Sequence, residues 1–149
     1  MMLQPKVKSK HTSNALEVLT ANMVALQMQA KMFHLNVTGP RFYGDHKTYD
    51  GIYEVADDWF DILAERMRAL EQKVCVCPAW VLTHSLIDNP AVDESSDATA
   101  MALTMSSTLT TLSSFINRSL DEFDETTISI VQDLDAELGK QLYFVRSSI

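Results

Sequence analysis

Apolar residues recur at alternating steps of three and four along the first part of the chain, which is the period of an amphipathic α-helix. Asn14, followed three residues later by Glu17, resembles a capping signal at the start of this helix, and Gly39–Pro40 ends it. The predicted core positions of this first helix are Leu16, Leu19, Met23, Leu26, Ala30, Phe33 and Val37.

The same period returns over residues 45–73, 97–123 and 126–146, which predicts three further helices. A connection over residues 75–95 separates the second helix from the third and has room for a short helix at 80–86. A connection this long lets the third helix cross the bundle. The predicted fold is all-α, a four-helix bundle with one long connection between its second and third helices. The predicted core positions of these helices are Ile52, Val55, Ala56, Trp59, Leu63, Met67 and Leu70, then Ala102, Met105, Leu109, Leu112, Ile116 and Phe123, then Val131, Leu134, Leu138, Leu142 and Val145.

Composition agrees with one helical domain, because 46% of the 149 residues are hydrophobic and only four are Gly and four Pro. No run approaches the roughly 20 apolar residues of a membrane span. The first residues also lack the apolar segment of a secretory signal. We therefore expect a soluble, cytoplasmic protein without membrane contact.

The net charge of −8 is unevenly distributed along the chain. Residues 1–11 contain Lys6, Lys8 and Lys10 and no acidic residue, whereas the rest of the chain holds 9 basic and 20 acidic residues. We predict a flexible basic N-terminal arm (1–11) ahead of the bundle domain (12–149). The acidic body should repel nucleic acid and attract cations.

The two cysteines, Cys75 and Cys77, lie in the sequence Val-Cys-Val-Cys-Pro. We expect their side chains to point to opposite sides of an extended segment and to make a poor disulfide pair. Without another cysteine or a histidine cluster nearby, zinc binding there is not favoured. We interpret them as reduced, structural thiols of a reducing compartment.

Candidate ligands lie on one face of the second helix. His46 and Asp50 are four residues apart, as are Asp61 and Glu65, so the members of each pair lie one above the other. Eleven residues at 100° per residue return to within about 20° of the same direction, which puts both pairs in one stripe. This stripe is nearly opposite the apolar one, so it is either a solvated acidic face or a metal site outside the core.

The distance along the helix decides how such a site would be built. Asp50 and Asp61 are separated by about 16 Å of helix axis, too far for both to reach one metal ion. A two-fold axis near the middle of the helix would lay two copies antiparallel and bring His46 and Asp50 of one chain to the Asp61 and Glu65 of the other. The first helix supports such a dimer, or else simply has a broad core face, because it carries a second apolar stripe. That stripe consists of Val24, Met28, Met32 and Leu35.

Mixed imidazole and carboxylate ligands favour non-haem iron over calcium or magnesium, which prefer oxygen alone. Zinc is compatible with the same ligands and stays open as a surrogate. The sequence contains no Glu-x-x-His motif. The di-iron site inside the bundle, which needs that motif on two helices, is therefore not expected.

Residues 33–67 resemble the DNA-protection-during-starvation family (Dps proteins, or mini-ferritins). The resemblance rests on the family spacing of His34, Asn36, Gly39, Phe42, His46, Asp50, Asp61, Glu65 and Arg66. It implies a ferritin-like bundle and a hollow shell of twelve identical subunits. It further implies oxidation of ferrous iron, preferably by hydrogen peroxide, and storage of the ferric mineral inside.

The resemblance also implies an assignment of the ligands. His34, His46 and Asp50 would come from one subunit, and Asp61 and Glu65 from its two-fold partner. The sequence departs from the family at one position, because Leu35 follows His34 where the family often has Trp. This departure leaves open whether electrons or radicals are handled beside the site.

Two further regions have weaker parallels in related shells. The acidic run before the fourth helix would form either an iron-entry pore or a solvated turn that caps the helix. It consists of Asp121, Glu122, Asp124 and Glu125. The lysines of the arm, Lys6, Lys8 and Lys10, would either bind DNA or belong to a disordered tail that only keeps the protein in solution.

The leading hypothesis is a ferroxidase and iron store that protects DNA under oxidative stress. The alternative is a DNA-compacting shell whose iron chemistry is secondary or lost. A third interpretation, an iron-free helical interaction protein, treats the His and Asp stripe as accidental.

Overall fold

The computed structural model of the chain describes residues 10–89, 92–93 and 96–149, and side chains from residue 15 onward. The helices are α1 (Lys10–Asn36), α2 (Phe42–Ala69), α3 (Pro78–His84), α4 (Ala98–Arg118) and α5 (Glu125–Arg146), with a short 3-10 turn at Leu120–Glu122. The described residues contain no strand. The predicted all-α fold is confirmed, with four long helices and a short fifth in the long connection. None of the described helices is long and apolar enough to cross a membrane.

The hydrophobic core has contributions from all four long helices. Every predicted core position of α1 is buried, because a strict three-and-four spacing keeps those side chains on one side of the helix. In α2 the buried members of the predicted stripe are Ile52, Ala56, Leu63 and Met67. Val55, Trp59 and Leu70 are only half-buried, and of these Trp59 and Leu70 pack against the edge of the core.

The predicted start of the first helix was wrong. Helix α1 already begins at Lys10, so Asn14 lies inside the helix. Glu17 is not part of a capping box, since its carboxylate accepts a hydrogen bond of 2.9 Å from the indole Nε1 of Trp80 in α3. A long-range partner therefore explains Glu17 better than the local capping pattern did.

The third helix also ends earlier than predicted. Helix α4 stops at Arg118, and the 3-10 turn occupies residues that the apolar pattern had assigned to the helix. Asp97 caps α4 at its start by accepting a hydrogen bond of 2.8 Å from the backbone N–H of Ala100. Phe123 remains buried although it lies outside the helix, which is why the apolar spacing appeared to continue.

The long connection is held against α1 by two buried amide side chains. Asn22 donates to the carbonyl of His84 at 2.9 Å and accepts from the backbone N–H of Leu86 at 2.8 Å. Gln29 donates to the carbonyl of Asp88 at 2.9 Å. Irregular backbone must satisfy its polar groups when it is covered, and these amides do so along one side of α1.

The expectation that Cys75 and Cys77 diverge was wrong. Both are free cysteines, and their Sγ atoms lie 3.3 Å apart on the segment between α2 and α3. The physical reason is that side chains alternate along an extended chain, so residues two apart point to the same side. Cys75 is exposed and Cys77 half-buried, which is not the environment of structural core thiols.

Candidate metal centre

The turn between α1 and α2 brings two histidines of the predicted site together. Gly39 has a φ of 104°, a conformation that side chains disfavour and glycine adopts freely. The carbonyl of Gly39 accepts from the backbone N–H of Phe42 at 3.0 Å, which closes the turn directly before α2. As a result, the rings of His34 and His46 stack with centroids 3.7 Å apart and planes 17° from parallel.

The hydrogen bonds of the two histidines determine which ring nitrogen carries the proton. Nδ1 of His34 lies 2.8 Å from the carbonyl oxygen of His46, and Nδ1 of His46 lies 2.7 Å from the carbonyl oxygen of His34. Because a carbonyl oxygen only accepts, each Nδ1 must donate. In a neutral ring this leaves Nε2 with its lone pair, the form in which imidazole ligates a metal. The backbone thus fixes the orientation of both rings, and each Nε2 keeps the lone pair that a metal ligand needs.

Asp50 lies one helical turn after His46 and is the third candidate ligand of this half. Its carboxylate has a cationic neighbour, since Nζ of Lys31 lies 3.8 Å from Oδ1 of Asp50. The same ammonium stands 4.0 Å from the ring centroid of Tyr53. The side chains of Lys31 and Asp50 are 40% and 37% exposed, so the pair contributes little to stability but does place a positive charge beside the ligand.

Lys31 was missed by the sequence reasoning, although a signal was available. It precedes His34 by three residues on α1, and that spacing puts both side chains on one face of the helix. The spacing of acids and histidines indicates candidate ligands only, and a cation that pairs with one of them is not part of that pattern.

Asp61 and Glu65 form the second half of the predicted stripe. Both are exposed and line a shallow cavity of about 460 Å³ together with Arg68 and Lys73. The helix axis separates this half from Asp50 by about 16 Å. Within the described part of a single chain, no three His, Cys, Asp or Glu side chains come together to hold a metal ion. The structure therefore brings His34 and His46 together but leaves Asp61 and Glu65 apart from them.

Arg66 stabilises the contact between α2 and α5. Its guanidinium donates to the Asp124 carboxylate at 3.1 Å and its Nε donates to the Thr127 hydroxyl at 3.0 Å. Asp124 caps α5 by accepting from the backbone N–H of Thr127 at 2.7 Å. Partial burial disfavours the charged carboxylate, but hydrogen bonds from Thr127 and the charge of Arg66 outweigh it and lower the pKa of Asp124.

The remaining predicted residues have diverse positions. Asp121 and Glu125 are exposed, Glu122 is half-buried, and Asp124 caps α5. An iron-entry pore formed by these residues stays a prediction. Lys6 and Lys8 lie outside the described residues, and Lys10 is the first residue of α1. Leu35, which follows His34 in place of the family Trp, is 68% exposed.

Comparison with known proteins identifies the family of this chain. The family model of the ferritin-like domain matches residues 13–149. A protein named DNA protection during starvation protein from Brevibacillus brevis is 26% identical over 134 residues, which are 85% of this chain and 87% of the relative. This chain belongs to the Dps family of ferritin-like proteins. A second Dps relative, from Helicobacter pylori, is 43% identical over 56 residues, and the match spans 38% of this chain and 39% of the relative.

Solved structures of Dps proteins share the fold. The Dps protein of Bacillus brevis superposes with a TM-score of 0.87 at 23% identity, covering 97% of this chain and 98% of that one. Dps92 of Deinococcus radiodurans gives a TM-score of 0.87 at 21% identity, covering 93% and 85%. A Dps protein of Vibrio cholerae, described as a member of a broad superfamily of ferritin-like diiron-carboxylate proteins, gives 0.86 at 22% identity, covering 95% and 90%. The predicted ferritin-like bundle is confirmed.

Proposed function

We propose that this Dps-family chain is a ferroxidase and iron-storage subunit that protects DNA from oxidative damage. Ferrous iron is its substrate, hydrogen peroxide is the electron acceptor, and the ferric mineral is stored inside a shell of twelve copies. The observation that carries the proposal is the reciprocal hydrogen bonding of His34 and His46, which assigns both rings the tautomer of a metal ligand.

The complete site joins two subunits. His34, His46 and Asp50 of one subunit hold the iron together with Asp61 and Glu65 of the partner subunit. Support comes from the separation of about 16 Å along α2, which an antiparallel two-fold pairing of that helix would bridge. A mixed set of imidazoles and carboxylates is suited to ferrous iron.

The chemistry at such a site is a balanced electron transfer. Two ferrous ions each give up one electron, one hydrogen peroxide accepts both, and its O–O bond breaks to give two hydroxides. The protein's contribution is to hold the ions at fixed positions, with neutral imidazoles and charged carboxylates that stabilise the ferric charge. Consuming ferrous iron and peroxide together removes the pair of reactants that generates hydroxyl radicals near DNA.

Assembly and location belong to the same proposal. On the second apolar stripe of α1, Met28 is 50% exposed and Leu35 is 68% exposed, a surface that a partner subunit would cover. The free thiols of Cys75 and Cys77 fit the reducing environment of the cytoplasm.

Titration with ferrous iron, with and without peroxide, tests the function. We expect two ferrous ions to be oxidised per peroxide and the ferric product to elute with the protein on sizing. The His34→Ala/His46→Ala variant should lose at least about tenfold in rate, and zinc added first should slow the wild type by occupying the same ligands. His84→Ala, which removes a histidine on α3, is the matched control. Wild-type rates in the double variant would contradict the proposal and favour the interpretation of the stripe as accidental.

A second candidate is a DNA-compacting shell whose iron chemistry is secondary or lost. It is favoured by the name of the relatives, DNA protection during starvation protein. It is also favoured by the positive charges of Lys6, Lys8 and Lys10, because the acidic body cannot supply contacts to phosphate. Binding through these lysines would release counterions from the phosphates, so affinity should fall steeply with salt. Gel shifts of the wild type and of Lys6→Glu/Lys8→Glu/Lys10→Glu should then differ at low salt. Equal retention of DNA would exclude the arm as the binding element, and no shift by either would leave iron oxidation alone.

A further inference from the structure

The segment between α2 and α3 carries two thiols that the iron site does not use. Sγ of Cys75 and Sγ of Cys77 lie 3.3 Å apart, within hydrogen-bonding distance for sulfur. Cys75 is exposed and Cys77 half-buried, so small solutes reach both. Neither residue lines the cavity beside Asp61 and Glu65.

We propose that Cys75 and Cys77 form a redox-active dithiol that reduces hydrogen peroxide without iron. Cys77 is the nucleophile that attacks peroxide, and Cys75 is the resolving thiol that closes an intrachain disulfide. The proposal does not depend on the iron site, because it needs only one chain and no metal.

The surroundings give the two thiols different roles. The backbone N–H of Trp80, followed by the hydrogen bond with Cys75, lowers the pKa of Cys77. The same hydrogen bond, in which Cys75 keeps its proton, raises the pKa of Cys75. The thiolate, not the thiol, is the nucleophile. Cys77 is therefore the thiol that loses its proton more readily, and Cys75 is the one that retains it more strongly.

The reaction balances with peroxide as the only oxidant. The Cys77 thiolate attacks one peroxide oxygen, so an S–O bond forms, the O–O bond breaks, and hydroxide leaves. The Cys75 sulfur then attacks the sulfenic sulfur of Cys77, so the S–S bond forms, the S–O bond breaks, and the second hydroxide leaves. The Cys75 proton and one proton from solvent convert these hydroxides to water. Two thiol sulfurs are oxidised and one peroxide is reduced by two electrons.

The backbone permits the bond and keeps it reversible. Two residues of extended chain separate their Cα atoms by about 7 Å, which is the upper limit for a disulfide without backbone movement. The sulfurs need to approach from 3.3 Å to about 2 Å. A bond at the edge of the favoured geometry is easily reduced, so a thiol reductant should reopen it.

The test uses assembled, iron-free protein with a metal chelator present, so that iron oxidation makes no contribution. One equivalent of peroxide should remove both free thiols, lower the intact mass by two hydrogens without forming linked chains, and leave a product that dithiothreitol restores. Thiols that persist, or disulfides between chains on a non-reducing gel, would overturn the proposal.

Single variants separate the two roles. Cys75→Ser should still react with peroxide but stop at the sulfenic acid, which a 1,3-diketone traps, whereas Cys77→Ser should react at least about tenfold more slowly, at the rate of an ordinary thiol. Equal rates in both variants would contradict the assigned roles. The Cys75→Ser/Cys77→Ser variant should oxidise iron like the wild type, so failure of the dithiol and failure of the ferroxidase are distinguishable.

Discussion

Each histidine of the candidate site uses one ring nitrogen to bond to the backbone of the other helix, and this arrangement ties ligand orientation to the α1–α2 turn. The cost of rotating either ring is the loss of a hydrogen bond from Nδ1 to a main-chain carbonyl. In the proposed site, a metal would therefore meet rings that are already oriented. The charge beside them opposes a metal, because the ammonium of Lys31 already pairs with the Asp50 carboxylate that the proposed site would use.

Replacing Lys31 by Met should strengthen ferrous binding. The substitution removes a positive charge 3.8 Å from Oδ1 of Asp50 and frees that carboxylate for iron. An exposed pair is worth up to about 1 kcal/mol, which corresponds to at most about fivefold in affinity. Anaerobic ferrous titration at low ionic strength measures the change, which should shrink as salt is added.

Lys47→Met is the matched control for Lys31. Nζ of Lys47 lies 5.6 Å from the ring centroid of Tyr43 and is not the partner of Asp50. Its replacement by Met removes the same charge from the same end of the bundle. Weaker ferrous binding in Lys31→Met, or equal gains in both variants, would show that the ammonium does not compete with the metal at Asp50.

Helix ends in this bundle are fixed by side chains that also reach other elements. Asp124 caps α5 and, through Arg66, fastens the end of α2 to it. Because its pKa is lowered, the folded state holds the charged carboxylate more favourably than the unfolded chain does. The resulting stability is fully present above the ordinary Asp pKa of about 3.9 and is lost as pH falls through the lower folded value.

Substitution of Asp124 separates its cap from its charge. Asp124→Ala should cost about 1 kcal/mol at neutral pH because the cap is lost. Asp124→Asn keeps a capping oxygen and loses only the charge, so its deficit should be smaller, should shrink as pH falls below about 4, and should disappear only below the lowered pKa of the folded state. Midpoints of thermal unfolding measure both, with exposed Asp121→Asn as the control. A deficit of Asp124→Asn that is independent of pH would contradict the ion pair with Arg66.

The helices of this fold could be predicted from the sequence where one face of a helix serves only to pack against the core. Leu16 to Phe33 on α1 illustrate this, since their spacing gave the buried face directly. Prediction failed where a partner distant in sequence decides the role of a residue. Glu17 looked like a cap but bonds to Trp80, 63 residues away.

The candidate site also has one part that could be predicted from the sequence and one part that could not. The face shared by His46, Asp50, Asp61 and Glu65 followed from helix geometry. The stacking of His34 on His46 did not, because it depends on the turn at Gly39.

At the scale of the whole molecule, the proposal makes a single chain incomplete. It carries half of a candidate site at each end of α2. On the second apolar stripe of α1 it leaves Met28 and Leu35 exposed, while Val24 and Met32 pack against its own core. Both features would be completed by a second copy, and a two-fold interface uses the same surface on each partner. The iron chemistry and the assembly are therefore parts of one proposal.

Disrupting the exposed stripe of α1 should disrupt the assembly. Twelve chains of 16.7 kDa each would give a shell of roughly 200 kDa, which light scattering measures. Met28→Glu would force a charge into the interface and should yield smaller species, whereas Met28→Leu keeps an apolar side chain and should leave the mass unchanged. A wild-type monomer at micromolar concentration would contradict the shell, and an intact Met28→Glu shell would remove this stripe from the interface.

Mixing two inactive variants tests the shared site most directly. His46→Ala/Asp50→Ala damages one half of the site and Asp61→Ala/Glu65→Ala damages the other, so shells of either variant alone should not oxidise iron at these sites. When dissociated chains of both are reassembled in equal amounts, intact halves meet at random, and about a quarter of the wild-type sites should return. Iron oxidation that rises to this level after mixing is the result we predict. Mixed shells that remain as inactive as either parent would show that these residues do not form a site between two subunits.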